Sequence, residues 1–247
     1  MINIVLPIAG RGSRFVEAGF VLPKPLIPVH GKPMIEIVVK NIKPKEPHRF
    51  IFVALKEHLS NLELQSVLQR IAPDCIIVPV EKVTEGAACT VLLAKEYINN
   101  DDQLMIANSD QYVDININDY LSSMKDSSAD GMIMTMFADD PKWSYVDLRN
   151  DKTVYNVVEK EVISNEATVG IYNFKYGSDF IRAAEKMISK NLRVNNEFYV
   201  APAYNELIKE KYKITTYNVG KEFDGMYAMG IPSDLDKFIR NPISRKP

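Results

Sequence analysis

The part of the chain densest in chemistry is Gly10-Arg11-Gly12-Ser13-Arg14, followed by Lys24 between Pro23 and Pro25. Glycines without a Cβ let backbone N–H groups approach a bulky anion, arginine offers a planar fork of donors, and lysine offers a compact point charge. The prolines fix the backbone around Lys24 and disfavour helix there. This is the pattern of a phosphate site with two fixed cations. It is neither of two common phosphate loops. The sixth position from Gly10 is Phe15 where the dinucleotide fingerprint needs glycine, and Gly31-Lys32 is preceded by Leu26 where the Walker pattern needs glycine.

Other candidates lie further along. Asp110 follows Asn108-Ser109 at the end of an apolar run, where a carboxylate can hold Mg²⁺ against triphosphate oxygens or simply cap a turn. Lys160, in Glu159-Lys160-Glu161, reads as a second phosphate cation or as a solvated strand end. Glu81 stands five residues before Gly86, where a surface glutamate on a turn fits.

The run from Gly10 to Phe15, then Leu22-Pro23-Lys24-Pro25-Leu26-Ile27-Pro28-Val29 and Gly31-Lys32-Pro33-Met34-Ile35, resembles the signature of the sugar-1-phosphate nucleotidyltransferases, in particular the short bacterial members found with capsule and lipopolysaccharide genes. The likeness is dense to residue 35 and recurs in islands to about residue 235. It implies a Rossmann-like, three-layer α/β fold of GT-A-like type with a mixed, mostly parallel sheet. It also implies a reaction in which a nucleoside triphosphate and a sugar-1-phosphate, or a similar phosphate monoester, give a nucleotide-linked product and pyrophosphate with Mg²⁺ as cofactor.

Carried over residue by residue, the resemblance places Arg14 and Lys24 at the reacting phosphates and Asp110 at the metal. Leu6, Ala9, Gly10, Gly12, Ser13, Glu81, Gly86, Asn108 and Asp110 would surround the nucleotide. Glu81 stands where the family reads the base with a glutamine, and a carboxylate, which only accepts hydrogen bonds, suits cytosine or guanine, whose edges donate, better than a carbonyl-rich edge. Glu159, Lys160 and Gly170 would face the acceptor, with Tyr145 standing where the family has a glycine and so reshaping the sugar pocket. Glu197, with Asn196 and Tyr199, would line that pocket or begin a helix. Two departures stand out: Glu161 replaces a proline, and Ala228 replaces the second metal aspartate, with Asp224 as a nearby substitute. An attacking phosphate oxygen is already ionised near neutral pH, so no general base is needed. A related glycosyltransferase would use an Asp-x-Asp site, which Asn108-Ser109-Asp110 lacks. A non-catalytic relative is suggested only by Ala228.

Composition bounds the rest. The 247 residues suit one domain, with residues 1–115 as a nucleotide half and 116–247 as an acceptor half. Thirty basic against 32 acidic residues leave a net charge of −2, which gives no general field for nucleic acid and no polybasic membrane patch. Cys75 and Cys89 sit in apolar stretches and read as free thiols. His30, His48 and His58 have no metal-ligand spacing, and neither a signal peptide nor a long apolar span is expected. A cytoplasmic protein is expected, and a homo-oligomer is compatible with the sequence.

Positioning such a site takes βα units. Apolar runs at the amino terminus, 49–55, 75–80 and 104–107 alternate with helical patterns opening at Pro33 and covering 59–71 (Leu59, Leu62, Leu64, Val67, Leu68, Ile71) and 86–98. Their loops share the carboxyl edge, where open α/β sheets bind ligands. Beyond Asp110, runs at 131–137, 146–149, 153–159 and 168–174 predict antiparallel or mixed strands. Helices are expected at 179–188 and 197–211, strands at 213–219 and 223–229, and a last helix from Pro232.

Overall fold

A computed structural model of the chain describes residues 1–60 and 63–246. Eleven strands form one mixed sheet: β1 (Ile2–Ile8), β2 (His48–Leu55), β3 (Ile76–Val80), β4 (Gln103–Ala107), β5 (Gln111–Val113), β6 (Gly131–Phe137), β7 (Ser144–Leu148), β8 (Val154–Glu159), β9 (Glu166–Phe174), β10 (Ile214–Glu222) and β11 (Gly225–Ala228). The order is β3-β2-β1-β4-β9-β6-β10-β11-β5, and the β7–β8 hairpin joins through β9. Strands β3, β2, β1 and β4 are parallel, whereas β9 runs antiparallel to both β4 and β6. Asn3, Ile4, Val5 and Leu6 are all buried, as expected of a strand covered on both faces.

Helices cover the two faces. On one lie α2 (Met34–Ile42), α3 (Glu63–Ile71), α5 (Ile117–Asp126) and α8 (Pro232–Arg240), packed through Ile35, Leu64, Tyr120 and Phe238. On the other lie α4 (Ala87–Leu92), α6 (Gly177–Ser189) and α7 (Tyr204–Lys209), packed through Val91, Phe180 and Tyr204. The architecture is the three-layer α/β expected. The first phosphate loop leads into α1 (Ser13–Glu17), a short helix where only a polar turn was expected.

Several boundaries differ for local reasons. Pro33 precedes α2 as its cap rather than opening the helix. The helix expected over 86–98 divides into α4 and a separate short α-helix, Lys95–Ile98. The one expected over 197–211 starts only at Tyr204, after a 3-10 turn at Ala201–Ala203. Asn195 and Asn196 adopt φ of 48° and 62°, and Phe198 N–H donates to the Glu85 carbonyl at 2.7 Å, so that segment is tied to the loop after β3 instead of winding. The expected contribution of Leu62 lies outside the described residues. Helix α5 was not anticipated, although Ile117, Tyr120, Leu121 and Met124 repeat at helical spacing behind the Asn116 cap.

Candidate active site

The loops after β1, β4, β8 and β11 converge on a two-lobed cleft of about 400 and 250 Å³. Lys24 is its hinge. Its Nζ donates to Asp110 Oδ2 at 2.5 Å and lies 5.7 Å from the centre of the Phe15 ring. Lys24 begins a 3-10 turn, Lys24–Leu26, where non-helical backbone was expected. Pro25 is tolerated because the first residues of a helical turn have no acceptor for an N–H. Gly12 sits at φ 63°, and a Cβ there would stand 3.1 Å from the Lys24 Cβ, so this glycine lets the lysine stem pass beneath the loop. Gly10 is different: its φ is not left-handed, no atom lies within 4 Å of a Cβ built there, and it lines the smaller lobe. Its missing side chain leaves room for a ligand.

Asp110 projects from the end of β4 into both lobes, and its carbonyl accepts from Met229 N–H at 2.7 Å. Arg14 is exposed and lines the larger lobe. Asn108 is held by Gly170: its N–H donates to the Gly170 carbonyl at 2.9 Å, and a Cβ on Gly170 would stand 2.2 Å from the Asn108 amide nitrogen. Gly170 therefore makes room for a protein side chain, not only for a sugar.

A hard divalent cation fits this donor set. Mg²⁺ keeps several waters and is usually held by one or two carboxylates plus substrate phosphates. Among the described residues no group of three His, Cys, Asp or Glu could form a complete cage. Ala228 presents only a methyl to the cleft, and its strand pairs with Gln111. Asp224, the expected substitute, lies on an exposed turn and is not among the cleft-lining residues, because the sharp turn between β10 and β11 carries it outward. Asp234, in the first turn of α8, lines the cleft instead.

The far wall of the larger lobe is built from β7, β8 and β9. Glu159 is buried and accepts a hydrogen bond from Ser144 Oγ. Burial raises its pKa against the opposing effects of that bond and of Lys160. Lys160 holds a left-handed φ of 57°, and its Nζ donates to Tyr199 OH at 2.6 Å while lying 4.8 Å from that ring's centre. Burial depresses the Lys160 pKa, but Tyr199 and the nearby carboxylates outweigh it, and the net shift is upward. The ammonium stays charged.

The structure separates some expected site residues from the cleft. Tyr145 is fully buried, its OH donating to the Asp140 carbonyl at 2.8 Å, and it does not line the pocket. Neighbouring strand residues face opposite ways, so Ser144 takes the cleft face and Tyr145 the core. Glu197 is an exposed turn residue outside the lining, whereas Tyr199 lies within it. Leu6 and Ala9 are buried in the core, so only their backbone could touch a ligand. Ser13 is exposed at the start of α1. Gly86 is a joint: at φ 123° its Cβ would stand 2.5 Å from the backbone N and O of Phe198. Glu81 is exposed and accepts from Lys56 Nζ at 2.9 Å. Sequence reading missed Trp143, Ser144 and Gln111 as lining residues. The period-two alternation of β7 could have pointed to Ser144.

Comparison with known proteins bears on the family and the fold. The family described as nucleotidyl transferase matches residues 3–215. The chain is 26% identical over 184 residues to the bifunctional protein GlmU of Methanococcus maripaludis, covering 70% of this chain and 40% of that one. It is 27% identical over 173 residues to the mannose-1-phosphate guanylyltransferase catalytic subunit beta of Danio rerio, covering 68% and 48%. It thus spans about half the length of the curated relatives it matches or less. The nucleoside-diphosphate-sugar pyrophosphorylase of Vibrio cholerae shares the fold, with a TM-score of 0.80, 22% identity and coverage of 98% of this chain and all of that one. The family match over most of the length, on a fold with the phosphate loop at its carboxyl edge, shows that the chain belongs to the nucleotidyl transferase family.

Proposed function

We propose that the protein joins a nucleoside triphosphate to a sugar-1-phosphate or similar phosphate monoester and releases pyrophosphate. The observation that carries this reading is a single cleft with Arg14 and Lys24 on one wall and Lys160 on the other. These cations, with Lys142 a fourth in the lining, serve a reaction whose two substrates are both rich in phosphate. An acceptor phosphate oxygen forms a bond to the α-phosphorus as the bond from that phosphorus to the bridging oxygen breaks, and the electron pair leaves with pyrophosphate. Lys24 steadies charge at the α-phosphoryl group, Arg14 binds the departing pyrophosphate, and Lys160 with Tyr199 seats the incoming phosphate. Glu159, when ionised, accepts an acceptor hydroxyl. Asp110 would hold Mg²⁺, which supplies charge neutralisation to the triphosphate when bound.

The name of the Danio rerio relative, a mannose-1-phosphate guanylyltransferase subunit, supports the sugar-phosphate part of the reading. Likeness to the short bacterial members supports a place in capsule or surface-polysaccharide precursor supply, in the cytoplasm. The test is pyrophosphate release with Mg²⁺ across ATP, GTP, CTP, UTP and dTTP, against sugar-1-phosphates and non-sugar phosphate monoesters. Release requiring one triphosphate and one acceptor supports the proposal; triphosphate binding without release from any pair refutes it.

A further inference from the structure

One aromatic residue of the larger lobe takes no part in the phosphate chemistry. Trp143 stands just before β7 and lines the cleft between Lys142 and Ser144. It is joined to the acceptor wall twice. Its carbonyl accepts from Lys160 N–H at 3.0 Å, and the next residue, Ser144, donates through Oγ to Glu159. A residue tied this closely to Lys160 and Glu159 stands beside whatever those two side chains hold.

The indole is placed by packing and by charge. The ring packs partly on the hydrophobic core, and Lys142 Nζ lies over it, 4.8 Å from its centre. Glu222 at 2.9 Å and Asp140 at 3.8 Å hold that ammonium in place. Trp143 Nε1 is buried and has no hydrogen-bond partner among the described residues. A buried tryptophan N–H usually finds a partner. With this one turned away from solvent, the indole meets the cleft through carbon. The acceptor end of the lobe thus offers three neighbouring surfaces: Lys160 with Tyr199 for a phosphate, Glu159 for a hydroxyl, and ring carbon for something apolar. A pyranose phosphate has all three features, with hydroxyls around its edge and C–H bonds across its faces. Glycerol phosphate has no such apolar face, and inorganic phosphate has neither face nor edge.

We infer that Trp143 selects the acceptor by packing against the C–H face of a pyranose, and so restricts the acceptor to cyclic sugar phosphates. The inference rests on the proposed nucleotidyltransferase reading. Trp143 is the single tryptophan of the chain, so its own emission reports the contact. The test joins that emission to pyrophosphate release by the wild type, Trp143→Phe and Trp143→Ala, with melting curves to confirm folding. The acceptors are glucose-1-phosphate, mannose-1-phosphate, N-acetylglucosamine-1-phosphate, glycerol-3-phosphate and inorganic phosphate, each with Mg²⁺ and ATP, GTP, CTP, UTP or dTTP. With the α,β-methylene analogue of the productive triphosphate bound, a sugar-1-phosphate that turns over should shift the Trp143 emission, whereas glycerol-3-phosphate and phosphate should not. Trp143→Ala should raise KM for that sugar-1-phosphate about tenfold, the scale of one lost apolar contact, with kcat and triphosphate KM moving far less. Trp143→Phe, which keeps an aromatic ring, should recover most of the loss. Release with glycerol-3-phosphate or phosphate as efficient as with any sugar-1-phosphate, unmoved emission, or both variants keeping the wild-type KM overturns the Trp143 assignment and leaves the transferase reading standing. No release from any pair overturns both.

Discussion

Gly86→Ala tests how the acceptor segment is joined to the phosphate side. The Gly86 φ of 123° lies in a region that is almost exclusively glycine's, and a Cβ would meet Phe198 N and O at 2.5 Å, backbone atoms that cannot swing aside. Relief means parting the two segments joined by Phe198 N–H to Glu85 O at 2.7 Å and Ala88 N–H to Phe198 O at 3.0 Å. Strain contributes about 1–3 kcal/mol, and the two hydrogen bonds roughly 0.5–1.5 kcal/mol each. Alanine recovers roughly 0.4–1 kcal/mol through the unfolded chain. The net loss is about 3 kcal/mol, or a fall of about 6–12 °C in Tm for a chain this size. Thermal unfolding followed by circular dichroism measures it. Gly10→Ala is the internal contrast: with no atom within 4 Å of its Cβ it should shift Tm by less than about 2 °C, yet weaken triphosphate binding. A Gly86→Ala protein melting with the wild type would refute the claim that this glycine is a packing joint.

Three further outcomes are expected. Lys24→Ala should lower kcat by about 10²–10³ with a far smaller effect on Tm, and wild-type turnover in a pyrophosphate assay would remove Lys24 from the reaction. Tyr145→Phe should destabilise by about 1 kcal/mol, through loss of the bond to the Asp140 carbonyl, and leave acceptor KM unchanged, because the ring lies in the core; a changed acceptor preference would place it in the pocket after all. Burial holds the Glu159 pKa above its ordinary 4.5, so the folded protein binds that proton more tightly than the unfolded chain. The stability this contributes is fully present below pH 4.5 and is lost as pH rises through the raised value. The Tm of the wild type minus that of Glu159→Gln should therefore fall as pH rises from 4.5, and a flat difference contradicts the buried position.

What the sequence determined by itself were features that repeat locally: the apolar runs of β1, β2 and β4, the two-cation loop from Gly10 to Lys24, and Asp110 at a strand end. Periodicity and residue chemistry are properties of neighbours along the chain, and they survive folding unchanged. Pairings between distant segments were not legible. Gly86 and Gly170 look like ligand glycines in sequence, yet the first fits against Phe198 and the second against Asn108, contacts made across 112 and 62 positions. Tyr145 exchanged roles with Ser144 because only the sheet's packing decides which face of β7 looks inward. The Lys24–Asp110 and Lys56–Glu81 pairs depend on strand order and register, which are set by how two helical layers close over one sheet and not by any short run of residues.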